Sequence, residues 1–330
     1  MQINEYIIFL ILITVILILL FPIAKTIDLV DRPSDRKSHA GNIPLTGGLA
    51  IGIYLLILVK YFEFYTQIEQ IFIYGFLICL IGSVDDKCNI SVSKKLLFQS
   101  ITVLILIYES NLLLNNLGYF KYLGLLSLGK FNIIFTLLCV ILLINAVNYS
   151  DGIDGNASFI TISSLLIIFF LINDIQLKKI IILLVIPIFV FVLFNLSILK
   201  LPKIFLGDSG SMLIGLVLSF LIIFLQNKNI LDTMLLIWTI SYFVFEFIST
   251  TLTRLINKKN IFLPGNDHLH FFIKKKTNSN IISVLIVTLL NIVLALVGIN
   301  IYLYFGSTAS ALSYLIIFII FFFVRKKISL

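Results

Sequence analysis

Residues 131–158 read FNIIFTLLCVILLINAVNYSDGIDGNAS, and the two halves of this stretch decide the fold. Phe131 to Ile144 contains no charged residue and, with its flank, is long enough to cross a bilayer. The second half sets Asn145, Asn148, Asp151 and Asp154 at every third position. Successive side chains at that spacing lie about 60° apart on an α-helix and eclipse on a 3₁₀ turn, so the four are expected to form one polar stripe. A carboxylate at bilayer depth costs roughly 2.5–3.5 kcal/mol. The stripe therefore asks for a cation, with an ordinary Asn/Asp/Gly connecting turn as the plainer alternative.

Composition extends the membrane reading to the whole chain. The 330 residues are 60% hydrophobic and only 12% charged, with a mean hydropathy of +1.13, far from the roughly 25% charged residues of soluble domains. Apolar runs fall at roughly 5–24, 45–62, 68–84, 95–109, 131–149, 157–173, 180–196, 210–226, 231–252, 281–305 and 309–324. An all-α polytopic integral membrane protein of about 11 transmembrane helices is expected, as a single domain over residues 1–330. The N-terminus lacks a basic leader region and a small-residue cleavage site, so it reads as a retained first span.

With the N-terminus outside and the C-terminus cytoplasmic, eighteen of the 24 Lys and Arg residues fall inward, as the positive-inside rule asks. The net charge of +8 then reports topology and contact with anionic lipid, and no nucleic-acid partner is expected. Cys79, Cys88 and Cys139 are far apart and form no Cys/His pattern, which argues against disulfides and zinc.

On this topology the polar clusters with chemical potential all face the cytoplasm. The first, residues 31–48, carries Asp31, Arg36, Lys37, His39 and the Gly47-Gly48 pair; its cations suit phosphate, although basic residues after a first span are also what topology requires. The second is Asp85-Asp86, followed by Lys95 and Gln99 at i, i+4 on one helix face. Adjacent carboxylates repel unless a cation or base lies between them, so this is a candidate metal or proton site, or else a solvated cap with a snorkelling lysine. The stripe is the third. The fourth pairs Asn195 with Phe205-Leu206-Gly207-Asp208-Ser209-Gly210-Ser211, where the free amides of a helix N-terminus would suit phosphate and a simple Asp208 N-cap is the alternative. The fifth runs from Arg254 through Asn266-Asp267-His268-Leu269-His270 to Lys274-Lys275-Lys276. No third nitrogen or sulfur ligand is near the histidines, so phosphate or nucleotide contact is favoured over metal.

Taken in order, these clusters resemble the polyprenyl-phosphate N-acetylhexosamine-1-phosphate transferases. The matching pieces are Asp31-x-Pro33 with Arg36-Lys37-x-His39, Ile43-Pro44-x-x-Gly47-Gly48, Asp85-Asp86 with Lys95 and Gln99, the stripe through Gly155, Asn195, Phe205-x-Gly207-Asp208-Ser209-Gly210-Ser211, and His268-Leu269-His270. Departures gather near the histidines and in span nine. Phe271 stands where the family usually has a further histidine, Asn266 where an aspartate is common, Glu246 in place of a span-nine aspartate, and Asn156 where leucine is common. The histidine segment resembles the simple-aminosugar branch more than the muramoyl-pentapeptide branch, which stays as an alternative specificity.

The resemblance implies a Mg²⁺- or Mn²⁺-dependent enzyme in the cytoplasmic (inner) membrane. It would transfer a sugar 1-phosphate, such as N-acetylglucosamine 1-phosphate, from a UDP-sugar to polyprenyl phosphate as the first membrane step of cell-envelope glycan synthesis, releasing UMP. Its catalytic residues would be Asp85, Asp86, Asp151, Asp154 and Asp208, with Asp208, Asp151 and Asp154 at the metal. Arg36, Lys37, His39, Lys95, Asn145, Asn148, Asn195, Ser209, His268 and His270 would bind substrate. A homodimer stays open. The competing class, an ion- or proton-coupled transporter, would line a path with mid-span polar residues, of which Glu246 and Asn291 are the candidates.

Overall fold

The computed structural model describes residues 3–33, 41–261, 263 and 265–328. Arg36, Lys37 and His39 lie outside the described residues, so those three expectations stay where the sequence put them.

In chain order the described elements are α1 (Ile3–Thr26), β1 (Val30–Asp31), β2 (Ile43–Pro44), α2 (Gly47–Tyr61), α3 (Thr66–Cys88), α4 (Val92–Ser110), β3 (Asn116–Phe120), β4 (Gly124–Ser127), α5 (Asn132–Ser150), α6 (Asn156–Leu171), α7 (Ile175–Asn195), α8 (Gly207–Asn227), α9 (Thr233–Thr239), α10 (Ser241–Ile256), α11 (Leu269–Thr277) and α12 (Asn280–Ile328). The fold is thus all-α, with two short antiparallel strand pairs, β1–β2 and β3–β4. Every apolar run read from the sequence falls on a helix. Among the described residues six helices are long and apolar enough to cross a membrane, or seven if α9 and α10, bent by 72° at Ile240, make one broken span; α2 and α6 are shorter apolar helices. These helices make the chain a multi-pass membrane protein. Large exposed apolar side chains such as Ile8, Ile11, Leu19 and Leu289 are what lipid-facing helices require, because lipid offers apolar groups no incentive to bury.

The helices gather into two compact units, residues 1–111 with 174–218, and 112–173 with 219–330. In the first, α1, α2 and α7 pack mutually and α3 packs on α2 and α4. A short backbone ladder orders its polar end: Phe205 N–H donates to Pro44 O, Gly47 N–H to Phe205 O and Gly48 N–H to Leu206 O. The Gly47-Gly48 pair is therefore spent on holding the segment before α8.

In the second unit, α12 packs against α6, α9, α10 and α11, and α5 against α6 and α10. A straight helix of 49 residues would be about 74 Å long, more than twice a bilayer core of about 30 Å. α12 is broken at Gly306, which adopts φ 79°. Both halves then meet one side chain, Trp238, whose ring lies against Gly298, whose indole N–H donates to Ser310 Oγ at 2.9 Å, and whose edge meets Tyr314. Asn291 donates to Ser163 and Ser164, a hydrogen bond between helices of the kind that joins membrane spans. It ties α12 to α6.

Candidate active site

The first unit carries six of the expected residues, Asp85, Asp86, Lys95, Asn195, Asp208 and Ser209. α3 ends in Asp85-Asp86, and Asn89, in the left-handed region at φ 48°, turns the chain so that α4 starts with Lys95 in reach of both ends. Asp85 divides its oxygens: Oδ1 accepts the Ile90 N–H at 2.9 Å and fixes the turn, while Oδ2 meets Lys95 Nζ at 3.0 Å. The same ammonium bonds Asp208 Oδ2 at the start of α8. Lys95 thus bridges two carboxylates that lie 123 residues apart in sequence, and its side chain is only 13% exposed.

Asp86 does something different. Its Oδ1 accepts the Asp208 N–H at 2.7 Å and its Oδ2 the Ser209 N–H at 3.2 Å. The first free amides of α8, expected to receive a phosphate, are taken by a protein carboxylate that suits the positive end of the helix. Gly207 makes this approach feasible: its φ is +75°, and a Cβ there would lie 2.5 Å from Asp86 Oδ2, so both backbone and space demand glycine. Ser209 is buried with its hydroxyl on Leu206 O. Asn195, at the end of α7, donates to Ile204 O at 2.9 Å, tying down the segment before α8. Its buried Oδ1 has no hydrogen-bond partner among the described residues and is the atom it has left for a ligand.

Written as carboxylates and an ammonium, Asp85, Asp86, Asp208 and Lys95 carry two net negative charges, of which a helix N-terminus offsets roughly half a charge. Among the described residues no cluster of three or more His, Cys, Asp or Glu side chains forms a ready metal cage. Magnesium does not ask for one: it is typically held by one or two carboxylates together with substrate phosphates. Hard oxygen donors with a surplus of negative charge fit that mode, and Asp208 and Asp85 are the groups that would hold such an ion.

The second unit carries the other expected residues. Here the stripe is cut in two. Asn145 and Asn148 lie in the last turns of α5, with Asn145 Nδ2 on its own helix at Ile141 O, whereas Asp151 and Asp154 fall in the turn between α5 and α6. The spacing does not stay on one helix: Asp151 leaves helical geometry as the cap residue, φ −84° and ψ 35°, and Gly155, φ 80°, starts α6 afresh. Asn156 is buried and donates to Ser150 O at 2.7 Å, closing the turn.

The histidines pack against this turn. His268 and His270 stack with rings 6° from parallel and centroids 5.5 Å apart. Tyr149 meets the His268 ring edge-on at 5.1 Å. A Cβ on Gly152 would lie 2.4 Å from His270 Nε2, so the turn touches the ring where it has no side chain. Both ring nitrogens of the fully buried His270 lack partners among the described residues. Beside them Arg254 forks onto Asp267 through Nε at 2.8 Å and Nη2 at 2.5 Å and donates to Ile261 O and Leu263 O. Arg254, Lys259, Asn260, Leu263, Gly265, Asn266 and Asp267 line a cavity of about 390 Å³, within the size range of small-molecule sites.

Glu246 and Arg325 were not legible as partners. Glu246, read as a lone mid-span acid, is 1% exposed and accepts from Arg325 Nε at 3.0 Å, from the Leu269 N–H at 3.0 Å and from Thr250 Oγ1. Arg325, counted among the basic flanks that set topology, is 2% exposed. Stranding either charge of this buried pair would cost about 3–5 kcal/mol.

Two of these groups set an acid limit on stability. Burial, assisted by the charge of His268, pushes His270 down to about 3 from its ordinary 6.5. It is neutral in the fold, so as pH falls from about 6.5 towards 3 the unfolded chain takes the proton first and stability is lost across that window. Burial works to raise Asp267, but the Arg254 hydrogen bond and charge outweigh it and hold the carboxyl at about 2. Its contribution, full above the ordinary 3.8, is lost below that. His270→Phe should therefore lose less thermal stability in detergent than the wild type as pH falls from 6.5 to 3. An equal loss in the variant would remove His270 as the cause.

The protein is thus a helical multi-pass membrane protein that buries a lysine between carboxylates in one unit and a histidine–glutamate–arginine network in the other. Residues 68–226 match the family described as glycosyl transferase family 4. The chain is 28% identical over 285 residues to the undecaprenyl-phosphate alpha-N-acetylglucosaminyl 1-phosphate transferase of Escherichia coli O157:H7, covering 84% of this chain and 77% of that protein. It is 28% identical over 294 residues to the Salmonella typhi protein of the same name, with coverage of 87% and 80%. Against the probable undecaprenyl-phosphate N-acetylglucosaminyl 1-phosphate transferase of Bacillus subtilis it is 27% identical over 310 residues, with coverage of 92% and 84%.

Proposed function

We propose that this protein transfers N-acetylglucosamine 1-phosphate from its UDP-sugar to undecaprenyl phosphate, giving the lipid diphosphosugar and UMP. The observation that carries the reading is the Lys95 ammonium held between Asp85 and Asp208 in a chain whose relatives bear that name. An oxygen of the lipid phosphate attacks the phosphorus that bears the sugar; that bond forms as the bond to the UMP oxygen breaks. A phosphomonoester with a second pKa near 6 is mostly dianionic at pH 7, so its oxygen needs little help from a base, and a single displacement suffices.

Such chemistry asks the protein for positioning and charge more than for covalent steps. Mg²⁺ or Mn²⁺, when bound, would offset the negative charge of the phosphates. In the first unit Asp208 and Asp85 are the groups suited to hold it, Asp86 positions Asp208 through its amide, Lys95 neutralises phosphate, and Asn195 offers its free oxygen. Arg36, Lys37 and His39 would add positive charge for the lipid phosphate. In the second unit Asp151, Asp154, Asn145 and Asn148 serve the donor's ribose, diphosphate and metal, and His268 and His270 contact the donor. The reading places these groups on the cytoplasmic face of the inner membrane, with eleven spans, the N-terminus outside and the C-terminus inside; the inward bias of Lys and Arg supports it.

The test is UMP release by purified protein given UDP-N-acetylglucosamine, undecaprenyl phosphate and Mg²⁺. Release should stop when either the lipid or the metal is left out. No release with all three present, or release without the lipid, overturns the reading.

A further inference from the structure

Arg325 sits where the sequence places a topology charge, yet all of its donors face inward. Nε meets both oxygens of Glu246 at 3.2 and 3.0 Å, Nη2 donates to Thr250 Oγ1 at 2.6 Å and to the Asp267 carbonyl at 2.5 Å, and Nη1 reaches Thr253 Oγ1. Glu246 in turn accepts the N–H of Leu269, the first residue of α11, and faces His268 Nδ1 at 3.5 Å. The histidine segment is thus gripped at the carbonyl before it and at the amide within it, by side chains from two other helices.

The same contacts set the tautomer of His268. The single Thr250 hydroxyl proton goes to Glu246, so Nδ1 faces two acceptors, the Thr250 oxygen at 3.4 Å and the Glu246 carboxylate. Nδ1 therefore carries a hydrogen, and the ring is held by its Nδ1 edge.

We propose that Arg325, acting through Glu246 and the Asp267 carbonyl, positions His268 and His270 for contact with the sugar-nucleotide donor. The inference rests on the histidines serving the donor, as assigned above. Arg325 touches no substrate; it is a positioning residue, and its guanidinium fork is needed because one ammonium cannot satisfy a carboxylate, a hydroxyl and a carbonyl in those directions.

The experiment compares purified wild type, Arg325→Met, Arg325→Lys and the double variant Glu246→Gln/Arg325→Met. Each is measured for KM with UDP-N-acetylglucosamine and with undecaprenyl phosphate, and for equilibrium binding of UDP-N-acetylglucosamine without lipid. The double variant removes both charges, so it should fold even where Arg325→Met alone does not. The expected result is a donor KM and a donor dissociation constant raised about tenfold or more in Arg325→Met and in the double variant, with the lipid KM within about twofold and partial rescue by Arg325→Lys. A folded double variant with wild-type donor KM and donor binding overturns the inference. So does a fall in kcat alone with both KM values unchanged, the mark of a purely structural role. Absence of transfer by the wild type would instead overturn the activity, and this inference with it.

Discussion

Asp208→Asn is expected to reduce sugar-phosphate transfer at least 100-fold while the protein still inserts and melts close to wild type. Asparagine keeps the size of the side chain and the backbone amide that Asp86 grips, so the start of α8 should survive. What it loses is charge. Lys95 would keep Asp85 as its anion, but the side chain best placed to hold a divalent ion would be neutral. A 100-fold loss corresponds to about 2.7 kcal/mol of transition-state stabilisation, a modest demand for a group in contact with a phosphoryl centre. Transfer assays on membranes matched for protein amount decide it; more than about a tenth of wild-type activity would remove Asp208 from the metal role.

Lys95→Met is expected to be nearly as damaging to transfer, with the opposite effect on metal. Its ammonium is the charge that lets Asp85 and Asp208 lie close together. Two unit charges 4 Å apart at an effective dielectric near 20 repel by about 4 kcal/mol, so without Lys95 the pair must protonate, separate or recruit another cation. Transfer should fall about 50-fold or more because phosphate loses a positive neighbour. Mn²⁺ binding, followed as the loss of free-ion signal in electron paramagnetic resonance, should tighten because a competitor for the carboxylates is gone. Weaker Mn²⁺ binding in the variant would mean that Lys95 organises the site and does not compete within it. Near-normal transfer would show that the bridge has no part in the reaction.

The membrane character and the helix positions could be read from the sequence because they depend on runs of one property, and each apolar run did fall on a helix. The first-unit cluster was half legible. Asp85, Lys95 and Asp208 stood out as charges next to apolar runs, but the task of Asp86 depends on a helix start 122 residues away, which no local pattern signals. The polar stripe misled for a related reason: a period of three describes spacing, while the conformations of Asp151 and Gly155 decide whether that spacing lies on a helix. Arg325 was hidden by its surroundings. Next to Lys326 and Lys327 it looks like any basic flank, and only Glu246, 79 residues earlier, distinguishes it.

The chain has a single tryptophan, and the fold seats it between the two arms of α12. Its ultraviolet emission therefore reports on one place only, the hinge at Gly306 and the arms beside it, without any introduced label. A ligand that draws those arms together or apart would register as a change in colour or intensity, and one that acts elsewhere would leave the signal dark to its presence.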